Sequence, residues 1–364
     1  MNTLSTHAAN DRLYLLVGTY APADKPGIYT YAFDQSTGDS TEAASIGNIA
    51  NPSYLTVSAD GRFVYAVAEN HGDKATANAF SLDAATGGLK FLNSQETGGD
   101  DPCYINTDAG GKYVITANYS GGTISVFRTA TDGSLQPLVQ LLSFTGSGVV
   151  KNRQEKPHLH SVLFSPDGAY LFACDLGTDQ IHKFSLTPND ADPVLSVGTP
   201  SGFKLADGSG PRHLVFHPNG KLAYSVDELS GKVNAWDYAN GTLTPIQNIA
   251  AAEAPGDDLG AADIHLTPDG KFLYASVRGK SNHLAMFGVN DANGKLTLLG
   301  YQPVASGPRN FVISPNGKYL LVAGQNADSI QIMEINSASG LLKDSGKKIT
   351  VSKPVCLKFV LVTN

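Results

Sequence analysis

A phrase of constant design recurs along the chain about every fifty residues: an apolar strand, a tight Ser/His/Thr-Pro-Asp/Asn-Gly turn, and a second apolar strand. It reads Ser165-Pro166-Asp167-Gly168, His217-Pro218-Asn219-Gly220, Thr267-Pro268-Asp269-Gly270 and Ser314-Pro315-Asn316-Gly317, preceded by the looser Ser58-Ala59-Asp60-Gly61 and Thr107-Asp108-Ala109-Gly110-Gly111. From Gly61 to Gly317 the last glycines of successive copies lie 50, 57, 52, 50 and 47 residues apart. A period of that size marks a chain of repeated supersecondary units. Asp-Gly or Asn-Gly between alternating apolar runs is a strong hairpin signal. A second hairpin follows, as at 123–127 and 232–236, then a weaker outer strand after another turn, as in Asn240-Gly241-Thr242-Leu243. Four antiparallel strands per unit make one blade of a β-propeller.

Six copies are whole, and the two ends supply a seventh. Residues 13–19 and 27–33 read as the second and third strands of a blade lacking its first, and 354–362 reads as that first strand. Pairing the ends closes a ring and hides the sheet edges that an open array exposes. The expected fold is all-β: a seven-bladed β-propeller with four antiparallel strands per blade, one domain over residues 1–364, its last blade shared between 12–47 and 353–363. A β-solenoid or a tandem of sandwiches is the alternative the same period allows. The 38 glycines in 364 residues fit turn-rich β structure rather than a helical chain.

The balance of 26 basic against 33 acidic side chains, a net charge of −7, argues against a nucleic-acid partner. No apolar run approaches the roughly 18 residues that cross a bilayer, so no membrane partner is expected. The segment from Met1 to His7 lacks the basic-then-apolar pattern of a leader. Cys103, Cys174 and Cys356 match no metal-ligand spacing and allow at most one disulfide, which favours a reducing compartment. A cytoplasmic location is the expectation, and a leader removed beforehand leaves no trace in it. No Gly-x-Ser-x-Gly elbow, phosphate-cradling glycine loop or Cys-x-x-Cys pair supports serine-hydrolase, nucleotide or redox chemistry.

In a blade the first strand follows the central channel and the second returns antiparallel, so the start of one and the end of the other share a rim. Eight residues before each turn glycine stand Ser53, Cys103, His160, Arg212, Ala262 and Arg309; eight after stand Glu69, Tyr119, Leu176, Glu228, Arg278 and Gln325. One rim thus collects three of the seven arginines, a histidine and two glutamates, with His158, His213, Asp263 and His265 near by. The opposite rim, built of near-uniform Pro-Asp/Asn-Gly turns, serves the fold. Irregular polar chemistry at equivalent positions is how a site grafted onto a repeat looks.

The phrases Lys156-Pro157-His158-Leu159-His160-Ser161, Gly210-Pro211-Arg212-His213, Val226-Asp227-Glu228 and Gly307-Pro308-Arg309 resemble the lactonase family of seven-bladed propellers, which spans lactone hydrolases and lactone-forming cyclases. The resemblance runs through nearly the whole chain. It implies hydrolysis of a sugar-acid lactone at the channel mouth, 6-phosphogluconolactone of the pentose phosphate route first among them. It also places the family's catalytic set on His160, Arg212, Glu228 and Arg278, with Arg309 able to fill the space of Arg278. His158, His213, His265, Arg309, Glu69 and Gln325 are the candidate substrate-binding residues around them.

Lactone hydrolysis needs a base for water and a cation or N–H group where the carbonyl oxygen becomes an oxyanion. His160 is the expected base, with His158 and a desolvated Glu228 as alternatives. Arg212 and Arg278 suit the oxyanion and an anionic sugar acid. Each also has a structural reading, as strand-end imidazoles or as arginines paired with Glu228 or Glu69. The insertion 146–155, with Lys151, Arg153 and then Lys156, reads either as a loop that steers a phosphate or as an ordinary solvated one. Asp175, Asp227 and Asp263 among arginines make a poor calcium cage, so neither metal nor cofactor is expected. Trp236 and the other aromatics read as packing between blades. The expected partner is a small anionic sugar lactone, and the expected state a monomer or weak homodimer. A carboxymuconate-type cyclase and a non-enzymatic interaction platform are the competing functions; the platform would tolerate losing the mouth residues.

Overall fold

A computed structural model describes residues 12–187, 191–253 and 260–362. Within them the strands form seven four-stranded antiparallel sheets. The innermost strands are Leu55–Val57, Pro102–Thr107, Leu159–Phe164, Pro211–Phe216, Ala261–Leu266, Pro308–Ile313 and Pro354–Val362. Each packs on the next, and the last packs on the first, so the ring is closed. Closure joins the two ends of the chain: Pro354–Val362 pairs antiparallel with Arg12–Thr19, Leu16 opposite Lys358, as the orphan end strands predict. No helix among the described residues is long and apolar enough to cross a membrane.

The second strands Leu222–Asp227 and Tyr319–Gly324 are buried along their whole length because both faces are covered by neighbouring blades. Between two of those blades Phe172, Phe216 and Tyr238 meet edge to face, with Trp236 in the same cluster. At the turn rim one device repeats. The Ser165 hydroxyl donates to Asp167 and accepts from the Tyr170 amide, while Gly168 takes a φ of 69°. Thr267 with Asp269 and Ser314 with Asn316 do the same.

The opposite rim is shaped by an irregularity that aims side chains inward. Leu159 pairs with Asp175 and Ser161 with Cys174, which leaves His160 as an extra, unpaired residue. Cys103, Arg212 and Arg309 are extra residues in their own blades by the same register shift. Such a bulge turns one side chain out of the pleat. Pro102, Pro211 and Pro308 stand immediately before three of them, and a residue without an N–H is suited to a strand start or bulge. The residue before each proline is left-handed: Asp101 at φ 51°, Gly210 at 61°, Gly307 at 72°. Its carbonyl accepts the amide of the residue ending the second strand, from Tyr119 to Asp101 at 2.9 Å, Glu228 to Gly210 at 2.8 Å and Gln325 to Gly307 at 2.9 Å. Bulge and strand end are thereby clamped face to face at one mouth.

Candidate functional site

A cavity of about 330 Å³ opens at that mouth. Cys103, His160 and Arg309 reach it from the bulges, and Tyr20, Glu69, Tyr119, Glu228 and Arg278 from the second-strand ends. Arg153 enters from the 146–155 insertion.

Glu228 is the hub. Its Oε2 accepts from Arg212 Nε at 2.9 Å and pairs with Arg278 Nη2 at 3.1 Å, while Oε1 accepts from Arg153 Nη2 at 2.5 Å. Burial alone opposes its ionisation, but Arg278 and Arg212 foremost, with Arg153, outweigh it and hold the carboxyl well below the usual range. The sequence alternative of a desolvated Glu228 with a raised pKa is therefore corrected: guanidinium groups, not apolar walls, surround it. Burial, opposed by Glu228 and reinforced by Arg212 and Arg309, lowers Arg278 to about 10, so it stays cationic at neutral pH.

His160 is 5% exposed, with one ring nitrogen 3.7 Å from Cys103 Sγ and the other 3.9 Å from Glu228 Oε2. Burial and then Arg212 push its pKa well below the ordinary value. The imidazole is neutral at physiological pH, with a proton-accepting nitrogen. Arg309 stands differently from the other three guanidinium groups. It lies over the ring of Tyr20, 5.3 Å from the centroid, and no carboxylate is within ion-pairing distance of it among the described residues. Glu69 is engaged instead by the Tyr20 hydroxyl, which donates to Oε2 at 2.8 Å and Oε1 at 3.0 Å. The cavity therefore presents a neutral base among guanidinium groups of Arg153, Arg278 and Arg309, with Glu228 and Glu69 on the same walls.

The structure brings His160, Glu228, Arg278, Arg309 and Glu69 together on this cavity. Arg212 is 2% exposed and lies beneath the floor, its Nη1 donating to the Ala262 carbonyl and facing His213 Nε2 at 3.2 Å. His158 is turned away: its ring stacks on Tyr119 at 4.4 Å and its Nε2 lies 3.1 Å from Glu155. Gln325 opens a short 3-10 turn on the rim and is not part of the lining. His213 and His265 line a second cavity of about 500 Å³ on the turn side of the channel. A strand advances about 3.3 Å per residue, so residues one to three places beyond the bulge sit deeper than a sequence count of neighbours conveys.

Tyr20 escaped sequence reasoning because its blade has no Asp-Gly turn from which to count, yet its amide donates to Lys353 O at 3.1 Å as its equivalents do. Cys103 and Tyr119 fell in the counted register without a role. Arg153 was visible only as loop charge. Asp175 and Asp263 are each engaged by imidazole groups and backbone amides, and among the described residues no cluster of three or more His, Cys, Asp or Glu groups is arranged to hold a metal ion.

Comparisons with known proteins bear on the family and the fold. Residues 14–359 match the family described as lactonase, 7-bladed beta-propeller. A 6-phosphogluconolactonase of Formosa agariphila is 38% identical over 93% of this chain and 97% of its own length. That of Bacillus subtilis is 34% identical over 94% and 97%. Among solved structures, a periplasmic gluconolactonase of Pseudomonas aeruginosa superposes with a TM-score of 0.91 at 36% identity, covering 96% of this chain and 100% of that one.

Proposed function

The chain belongs to the lactonase family of seven-bladed β-propellers, and on that premise we propose that it hydrolyses 6-phosphogluconolactone to 6-phosphogluconate in the cavity where Arg309 stands uncommitted. Lactone hydrolysis is its reaction class. The names borne by the Formosa and Bacillus relatives support the phosphorylated substrate. The single observation that carries the residue roles is a neutral buried imidazole on the same cavity as a guanidinium with no carboxylate in ion-pairing distance among the described residues.

In this reading His160 takes a proton from water as the oxygen attacks the lactone carbonyl carbon. Charge moves to the carbonyl oxygen, which Arg309 and Arg278 face. Glu228, ionised and 3.9 Å from the ring, stabilises the imidazolium as it forms. When the C–O ring bond breaks, the imidazolium returns its proton to the leaving ring oxygen, and the new carboxyl group loses its own proton to solvent. Arg212 acts through Glu228. Arg153, on the wall of the mouth, receives the phosphate.

His160→Ala lowers kcat about 10²–10⁴-fold and Arg309→Ala about 10²–10³-fold, both with an unchanged melting temperature, once spontaneous hydrolysis is subtracted. Wild-type turnover in both variants overturns the roles. The Pseudomonas relative, named a gluconolactonase, favours a second reading in which no phosphate is required. Arg153→Ala separates the two: it raises KM for the phosphorylated lactone alone if the phosphate is read, and for neither lactone if it is not. The three buried free thiols support a cytoplasmic site of action, which cell fractionation checks.

A further inference from the structure

Beneath the mouth, three buried groups continue the site down the channel. Arg212, His213 and Asp263 are 2%, 5% and 1% exposed. Asp263 Oδ1 faces His213 Nδ1 at 2.8 Å and accepts the Ile264 amide at 3.0 Å. Its Oδ2 faces His265 Nε2 at 2.9 Å and accepts from Asn310 Nδ2 at 2.5 Å and the Phe311 amide at 3.1 Å. Burial opposes ionisation of this carboxyl, but His265 and His213 hold it well below the usual range. An ionised carboxylate only accepts, so the His213 nitrogen facing it carries the proton. Burial first, then Arg212, lowers His213 to about 4, so the ring is neutral and its Nε2 is bare. The group opposite that bare nitrogen is Arg212 Nη1 at 3.2 Å, which only donates. Every proton in the chain of contacts has one place to go.

We propose that Asp263 and His213 are positioning residues for Glu228: Asp263 fixes the His213 tautomer, His213 accepts from Arg212 Nη1, and Arg212 thereby aims its Nε at the carboxylate beside the base. Without that acceptor the guanidinium loses one of its three anchors and is held by Ala262 and Glu228 alone, so its plane is less firmly fixed. Glu228 then moves relative to His160, and stabilisation of the imidazolium in the transition state is lost while the substrate-facing groups stay. The expected signature is a fall in kcat with little change in KM.

The proposal rests on the lactonase reading of the upper cavity, so one arm of its test is independent of turnover. Nitrogen-15 NMR of the wild-type His213 ring shows a protonated Nδ1 and a bare Nε2; the reverse tautomer overturns the proposal. His213→Leu lowers kcat by roughly 10–100-fold, the scale at which small misplacements act, with KM within threefold. His213→Gln, whose amide oxygen takes the same proton, recovers at least threefold of that loss. His213→Leu combined with Asp263→Asn is no slower than His213→Leu alone, because both act along one chain. Wild-type kcat in folded His213→Leu, or losses that multiply in the double variant, overturns the proposal. If Asp263→Asn does not fold, the two His213 variants and the tautomer decide. A wild-type protein inactive on lactones defeats the functional reading instead, and the tautomer still tests the relay.

Discussion

Three guanidinium groups on one buried carboxylate keep Glu228 ionised at the mouth. Glu228 pairs with Arg153, Arg212 and Arg278 and offsets only part of their charge, while Arg309 has no carboxylate within ion-pairing distance among the described residues. Removing one member of a buried ion pair costs about 3–5 kcal/mol, and Arg212→Met is expected to show it as a lowered denaturation midpoint. Burial first, and then Arg212, depresses His160. A base whose pKa is lowered keeps its proton-accepting form as pH falls through the ordinary histidine value. The acid limb of kcat/KM is therefore expected well below pH 6.5, with the fall coming only as pH passes through the depressed value. A pH-rate profile corrected for spontaneous hydrolysis checks it; an acid limb at or above 6.5 removes His160 from the role.

At the level of the element, the bulges that carry Cys103, His160, Arg212 and Arg309 convert a repeat that is good for packing into one that presents chemistry. The pleat alternates faces with period two, and an inserted residue breaks that alternation at one place without disturbing the rest of the ladder. Gly210 shows how tightly the device is built. It sits at φ 61°, and a Cβ there would lie 2.5 Å from Leu229 Cγ and 3.2 Å from Leu176 Cγ. A left-handed non-glycine residue costs about 1–2 kcal/mol before any clash. Gly210→Ala is thus expected to lower the melting temperature and to reduce kcat by at least tenfold, because Arg212 two residues on loses its aim. Calorimetry and steady-state kinetics on one preparation check both effects. Full stability and activity would mean that the bulge does not depend on this turn.

Across the whole molecule, the ring is held shut by one sheet made from both ends of the chain. The Leu357 amide donates to Asn310 Oδ1 at 2.6 Å and the Leu55 amide reaches Cys356 Sγ at 3.3 Å, so the closing strand also binds the blades on either side of it. Cutting the chain after Thr350 removes that strand and exposes an inner edge along Arg12–Thr19, a template for pairing with other chains. The truncated protein is expected to aggregate or lose its cooperative melting transition, read by size-exclusion chromatography and circular dichroism. A monomeric, cooperatively folded truncation would show that closure is dispensable. The same closure brings Tyr20 and Arg309, far apart along the chain, into cation–π contact.

What the sequence determined by itself is what depends on local periodicity. The spacing of the Pro-Asp/Asn-Gly turns specified blades, their number and their closure, and counting eight residues from each turn glycine placed His160, Glu228, Arg278, Arg309 and Glu69 on one mouth, because register within a hairpin is a short-range property. Tertiary structure alone decided which charges are spent on one another. Tyr20 joined the site through ring closure and Arg153 through the path of an insertion; Arg212, a bulge residue itself, is drawn beneath the floor by Glu228 and the Ala262 carbonyl, and His213 lies one residue step past that bulge. Ion pairing across blades depends on distances set by the radius of the ring, and no count along a single strand contains that radius.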